Sequence, residues 1–310
     1  MRAEARFPAM GSDVHVIVVG APVSALDAAR DLIAGLERRW SRFLDDSEVT
    51  VMNREAGRPV RVSGATLALV ERAVEGARIT DGRYDPTLLR AIERAGYDRS
   101  FELLTDRDVG APDGLEDPVT VAGYERILVD RAESTVTVPR GVGFDSGGIG
   151  KGFAVDLVVE ALMLEGAAGA CVNVGGDLRV EGTAPSGGPW LAGVEHPTRS
   201  RLAARVSLTR GAVATSSRAR RAWGPSNDRR HHLIDPATGR PAVTSVVAAT
   251  AVAAEGWQAE VLAKAAFLAG PVEGPALLES LGAQGLVVDE DGTVHESAGL
   301  GAFLGDRSRA

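Results

Sequence analysis

All but two of the 34 basic residues in this chain are arginine, and the two exceptions are Lys151 and Lys264. An ammonium is a compact point charge, whereas a guanidinium is a wide planar fork, so a tight anionic pocket can accept the first and reject the second. Lys151 lies in the segment Asp145 to Asp156 (DSGGIGKGFAVD), a glycine-rich turn that runs into a helix. Glycines let a backbone come close to a ligand. The first N–H groups of a helix are unpaired within it, and the positive end of its dipole favours an anion. With the lysine added, the segment has the character of a phosphate or pyrophosphate cradle. It is not a Walker A loop, because the Gly-x-x-x-x-Gly-Lys-Ser/Thr spacing is missing. A purely structural glycine turn would read in much the same way.

Three further segments carry polar chemistry. His231 to Pro241 (HHLIDPATGRP) has two adjacent histidines, which point to opposite sides of an extended chain, so at most one faces a given pocket. A histidine beside an aspartate turn can serve as a general base, and a surface turn is the plainer alternative. The adjacent pair is poorly spaced to share one metal ion. Asn173 to Asp177 (NVGGD) reads first as a tight β-turn. Ala214 to Ser217 (ATSS) clusters hydroxyls that suit phosphate oxygens or the capping of an irregular turn. Arg218, Arg220, Arg221, Arg229 and Arg230 form a basic cluster, either a solvated loop or a rim facing an anion.

These residues need a scaffold, and 310 residues suffice for one large domain or two packed ones. The net charge of −8 argues against nucleic acid as a general partner. A single cysteine, Cys171, rules out an intramolecular disulfide and a cysteine-based zinc site, and its strand-like setting suits a buried thiol. No apolar run has the length of a signal peptide or a membrane span, so a cytoplasmic protein without a membrane partner is expected. Helical spacing marks residues 25–43, 67–80 (capped by Ser63 or Thr66), 151–165 and 256–268, with a short helix opened by Asp85-Pro86-Thr87. Residues 105–118 read as a polar loop. Strands are expected at 14–19, 127–129, 135–138, 170–174, 177–181, 190–194, 203–208, 246–252 and 283–288, the last paired with 294–296. Irregular alternation of these elements predicts an α+β fold, with a mixed or mainly antiparallel sheet packed with helices.

In family order, the segments resemble the FAD:protein FMN transferase (ApbE) family across most of the chain. Met10-Gly11-Ser12 resembles its N-terminal Met-Gly-Thr, and Asp81-Gly82 with Asp85-Pro86-Thr87 its Gly…Asp-Pro-Thr segment. The lysine-bearing glycine turn, Asn173 to Gly176, Ala214 to Ser216 and His231 to Pro241 resemble its remaining motifs. The resemblance implies one FMN-transferase-like domain over residues 1–310 with a T-fold-like core, built as one body or as two packed lobes flanking the FAD site. It implies FAD as substrate and magnesium-dependent transfer of FMN to a threonine or serine hydroxyl of a target protein, with release of AMP. The targets would carry a Ser/Asp-Gly-Ala-Thr/Ser-like motif. An FAD pyrophosphatase and a non-catalytic FAD-binding protein are the alternatives.

The FAD contacts implied by the resemblance fall on Met10, Asp85, Gly148, Lys151 and Asn173, and further along on Thr215, His231, Ile234 and Asp235. The catalytic assignments are Lys151, Lys264 and, as base, His231, with His232 its competitor for the place facing the flavin. The family's metal-binding Asp-x-x-x-Thr falls on Glu260 and Lys264, with a carbonyl of the glycine turn, at Gly148, completing the magnesium set. Glu260 supplies a hard oxygen ligand, but a charged lysine has no lone pair to offer a cation. Lys264 is therefore a simple i, i+4 partner of Glu260, a cation standing where magnesium would, or the mark of a site that only binds flavin. Ser63-Gly64-Ala65-Thr66 itself has the form of the acceptor motif, at a helix start.

Overall fold

The computed structural model describes residues 2–104, 123–225 and 229–305. The expected polar loop at 105–118 lies outside the described residues. The chain divides into two compact units, one of Met1–Glu37, Ile149–Ser216 and Ser245–Ala310, the other of Arg38–Gly148 and Ser217–Thr244.

Numbered along the chain, the strands of the first unit are β1 (Arg2–Ala9), β2 (Ser12–Val19), β3 (Gly169–Val174), β4 (Asp177–Gly182), β5 (Trp190–Glu195), β6 (Leu202–Leu208), β7 (Arg210–Ser217), β8 (Val246–Ala253), β9 (Gln284–Asp289) and β10 (Val294–Glu296). Eight of them form one sheet in the order β1-β2-β3-β4-β7-β8-β9-β10, while β5 and β6 make a separate antiparallel ribbon. Along the large sheet β1/β2, β2/β3, β3/β4, β4/β7, β8/β9 and β9/β10 pair antiparallel, as the α+β reading requires. The helices are α1 (Ser24–Trp40, whose last turn enters the second unit), α2 (Gly150–Leu164), α3 (Gly256–Ala269) and α4 (Glu273–Ser280).

The period of two along β2 and β3 sorts their side chains between the sheet's faces. Val14, Val16, Val18, Ala170, Val172 and Val174 bury against Ile33 of α1 and Val155, Val158, Val159 and Leu162 of α2. Ile17, Val19 and Cys171 belong to the opposite layer with Val180, Trp190, Val194 and Val206. Burial pushes the Cys171 thiol up to about 12, so it stays protonated and acts as a small apolar group. Strand β8 is the sixth of eight and is buried along almost its whole length, as its β-branched run predicts. Strand β1 escapes sequence reading because its alternation is between exposed and half-buried residues at a sheet edge, with charge on the outer positions. Helix α4 and the short helix Glu48–Arg54 were likewise not expected.

In the second unit, Ser63 proves to be the cap of helix Gly64–Ile79, its Oγ accepting from the Thr66 N–H at 3.3 Å. Thr66 is fully buried and its Oγ1 accepts from the Trp40 indole N–H at 3.1 Å, so this copy of the acceptor-like motif is a helix start closed to modification. The helix expected to open at Asp85 instead spans Leu89–Arg94. Leu88, Ala91, Ile92, Tyr97, Trp223 and Ile234 form a core cluster there. The expected strand pair is present as Leu128–Asp130 and Thr135–Thr137, extended by Val60–Arg61.

Candidate functional site

The first unit gathers charge at the start of α2. No side chain caps this helix. Lys151, in its first turn, pairs with the fully buried Asp177, the residue that follows the Asn173–Gly176 turn. The Lys151 Nζ also lies 3.3 Å from Glu260 Oε1 of α3. Lys264, one turn further along α3, donates to that same oxygen at 3.1 Å. The other oxygen, Oε2, accepts the Gly152 N–H at 2.8 Å. Two ammoniums and two carboxylates thus form a closed network in which Glu260 is 2% exposed, while the lysine side chains are 20% and 16% exposed.

Burial alone pushes Glu260 up, but the charges of Lys151 and Lys264 and the Gly152 N–H outweigh it and hold the carboxyl well below its usual range. Asp177 moves the other way, pushed up by burial and by the neighbouring Glu260 charge against the pull of Lys151. Asp177 was not among the expected site residues. The signal was available, since a carboxylate directly after a Gly-Gly turn and inside an apolar strand needs a cation.

The glycines of the cradle serve two purposes. Gly175 has φ +62°, and a Cβ there would come within 2.5 Å of Ser12 Oγ and 3.8 Å of Lys151 Cδ. The two turns Met10–Ser12 and Asn173–Gly176 therefore close together beside Lys151, with the Met10 N–H held by Glu37 at 2.8 Å and the Gly176 N–H by Asn173 at 3.0 Å. Gly152, read from sequence as open to a ligand, instead lets α3 approach. A Cβ on it would lie 2.7 Å from the Gly256 carbonyl carbon and 3.0 Å from Glu260 Cβ. Asp156 completes the junction by accepting the Gly256 and Trp257 N–H groups at 2.7 and 2.9 Å and pairing with Arg179 at 2.7 Å. Thr215 is exposed on β7, two residues beyond the Val213–Leu178 pair and so toward the Asp177 end of the sheet, with its Oγ1 2.8 Å from that of Thr250.

The residues present do not fit the expected magnesium site. Both Glu260 oxygens are committed to lysines and a backbone N–H, and Lys264 stands where a ligating hydroxyl is needed. Two unit charges 4 Å apart interact by about 4 kcal/mol at an effective dielectric of 20, so a dication beside this ammonium meets about twice that as repulsion. Among the described residues no group of three or more His, Cys, Asp or Glu could hold a metal ion. Glu260 stands as the hub of an ion-pair network, and Gly148 is the last residue of the short turn Ser146–Gly148.

In the second unit, Asp145 ties the glycine turn to Arg42 (3.5 Å), and Ser146 donates to the Trp40 carbonyl at 2.6 Å. Asp85 Oδ1 accepts from the Thr87 N–H and hydroxyl at 2.7 and 2.6 Å, while its Oδ2 is buried with no hydrogen-bond partner among the described residues. Burial pushes the Asp85 carboxyl up against those bonds. A buried acceptor left unmade is costly and suits a donor from a ligand.

His231 is buried. Its Nε2 faces the Ala242 carbonyl at 3.1 Å and its Nδ1 accepts the Leu233 N–H at 3.3 Å. A carbonyl can only accept, so Nε2 carries the proton and the lone pair on Nδ1 is already used. Burial, with the Arg218 charge, lowers its pKa and keeps it neutral. Both ring nitrogens of His231 thus face backbone groups. His232 is half-buried, and its Nδ1 lies 3.3 Å from the Arg221 carbonyl. Ile234 belongs to the core, and Asp235 Oδ1 accepts the Ala237 N–H at 2.9 Å to form the turn that follows.

Fold and site together define an α+β protein with an ion-paired lysine in the first turn of an uncapped helix. Residues 10–287 match the model of the ApbE family. Curated relatives named FAD:protein FMN transferase include one from Treponema pallidum, 30% identical over 89% of this chain and 80% of its own length. Another, from Vibrio cholerae, is 27% identical over 88% of this chain and 83% of its own. Among solved structures, the ApbE protein from Thermotoga maritima superposes with a TM-score of 0.90 at 30% identity, covering 99% of this chain and 100% of that one. The flavin transferase ApbE from Vibrio cholerae shares the fold at a TM-score of 0.84 and 24% identity, over 98% and 99% of the two chains. The chain belongs to the ApbE family.

Proposed function

We propose that this protein transfers FMN from FAD to a threonine or serine hydroxyl of a target protein. The carrying observation is the likeness to a named FAD:protein FMN transferase across 89% of the chain, with Lys151 placed at an uncapped helix start. The acceptor hydroxyl oxygen forms a bond to the FMN-side phosphorus, the pyrophosphate bridge breaks, and AMP leaves with the bridging oxygen. Lys151 and the helix start face charge that grows on the phosphoryl oxygens in the transition state. Met10, Asn173 and Thr215 flank the pyrophosphate, and the contacts implied for Asp85, Gly148, Ile234 and Asp235 belong to the same reading.

His232 takes the hydroxyl proton in place of His231. Its ring is half-buried, with Nδ1 3.3 Å from the Arg221 carbonyl, and an imidazole is the side chain suited to general-base work near neutral pH. His231 instead braces the turn. The target carries a Ser/Asp-Gly-Ala-Thr/Ser-like motif, and the reaction is cytoplasmic. Among the described residues no helix is long and apolar enough to cross a membrane.

The test incubates the protein with FAD and a domain bearing the acceptor motif. AMP release together with a fluorescent protein band supports transfer. AMP without any acceptor points to hydrolysis, and bound FAD with no AMP to a binding protein. His232→Ala is expected to abolish transfer while keeping the fold, and His231→Ala to lower the melting temperature. Unchanged transfer by His232→Ala refutes the base assignment.

A further inference from the structure

We propose that Lys264 supplies, as part of the chain, the positive charge that a bound divalent cation would otherwise bring, so that the protein engages the FAD pyrophosphate without a metal ion. The proposal rests on the flavin-transfer reading and deepens it.

Three observations carry it. A hard cation needs oxygen lone pairs, and the Glu260 carboxylate already accepts from Lys264 and Lys151 at Oε1 and from the Gly152 N–H at Oε2. Lys264 cannot ligate a cation, and it holds its ammonium 3.1 Å from the carboxylate oxygen that a metal would need. Finally, the chain is otherwise served by arginine, and a guanidinium would pair with Glu260 through a bidentate fork just as well. A simple helix pair therefore gives no reason for lysine at position 264, whereas a compact cation of the size of a metal site does.

The geometry leaves that cation usable. An ammonium has three N–H donors. Among the described residues, the hydrogen bond to Glu260 engages Lys264 through one of them, and its side chain retains 16% exposure. Lys264 can thus keep Glu260 and still donate to a phosphoryl oxygen. Lys151, held by Asp177 and Glu260 on the same network, presents the second ammonium. The four charges sum to zero before the ligand arrives, so the network is stable unliganded and needs no ion to complete it.

The test titrates FAD, and separately ADP, into the wild-type protein in EDTA and in magnesium, and follows Mn2+ binding by electron paramagnetic resonance. The expected result is the same Kd in both buffers and no Mn2+ bound. Lys264→Met, checked for an intact melting transition, is expected to weaken FAD binding by about ten- to a hundredfold in EDTA, the scale of one charge-assisted hydrogen bond. FAD binding that collapses in EDTA and returns with magnesium overturns the proposal and leaves the transfer reading standing. Unchanged binding by Lys264→Met overturns it as well. No FAD binding in either buffer overturns the transfer reading, and the proposal with it. The wild-type arm requires no variant and so decides the matter even if Lys264→Met fails to fold.

Discussion

Replacing Glu260 with glutamine removes one charge from the centre of the ion-pair network while keeping its shape. The carboxylate lies 3.1 Å from Lys264 and 3.3 Å from Lys151, at 2% exposure. Removing one partner of a buried pair costs about 3–5 kcal/mol when the stranded charge cannot escape. Here Lys151 keeps Asp177, and the lysine side chains retain 20% and 16% exposure, so the smaller figure of about 2–3 kcal/mol applies. At about 1.5 °C per kcal/mol for a chain of this length, the melting temperature falls by roughly 3–5 °C.

The pH dependence changes with it. The two ammoniums outweigh burial and hold Glu260 at about 2, against an ordinary 4.5. Because the folded value is depressed, its contribution is complete above about pH 4.5 and is lost as pH falls toward 2, worth about 3 kcal/mol in all. Asp177, pushed up by burial, acts in the opposite sense and makes the combined slope shallower. In Glu260→Gln the acid loss from position 260 disappears. Ligand binding moves oppositely to stability: the variant gains one unit of positive charge beside the anion site, so ADP binds more tightly and with greater salt sensitivity. Thermal melts from pH 2 to 7 and ADP titrations at two ionic strengths provide the readout. An unchanged melting temperature refutes the network's role. Loss of ADP binding with the fold intact would mean that Glu260 holds a cation for the ligand.

Two further outcomes follow from the α2–α3 junction. Gly152→Ala gains about 1 kcal/mol of helix propensity but places a methyl 2.7 Å from the Gly256 carbonyl carbon. Overpacking against backbone costs about 1–3 kcal/mol, so chemical denaturation should report a net loss, and equal or greater stability would count against the close helix crossing. Asp156 is pushed to about 6 by burial, against hydrogen bonds from Gly256 and Trp257 and the Arg179 charge. A raised folded value means that this group's contribution declines as pH rises from about 4 to 6. Asp156→Asn should flatten that window in a melting-temperature profile while lowering stability at every pH, because the helix cap and the Arg179 partner are lost. An unaltered profile would refute the buried carboxylate.

Much of the scaffold is legible in the chain itself. The alternation of Val14, Val16 and Val18, the β-branched run at Val246 and the apolar helix after Lys151 each encode an element through local spacing, which no distant contact can easily override. The same holds for Lys151, because a glycine turn feeding a helix is a local arrangement with one electrostatic consequence. What escaped the reading depends on partners far apart in sequence. Asp177 acquires its meaning from Lys151, 26 residues away. Gly152 is a glycine because of Gly256 rather than because of a ligand. The two histidines are equivalent as letters, and only the structure shows that His231 is buried against the Ala242 carbonyl while His232 is half-buried beside that of Arg221.

The sequence by itself determined the order of elements, the uncapped, lysine-bearing helix start and the odd placement of Lys264, since these follow from residue type and near-neighbour spacing. Only the tertiary structure decided which charges meet. Ion pairing depends on distances of a few ångströms between segments that the chain brings together from more than a hundred residues apart, as it does Lys151 and Glu260.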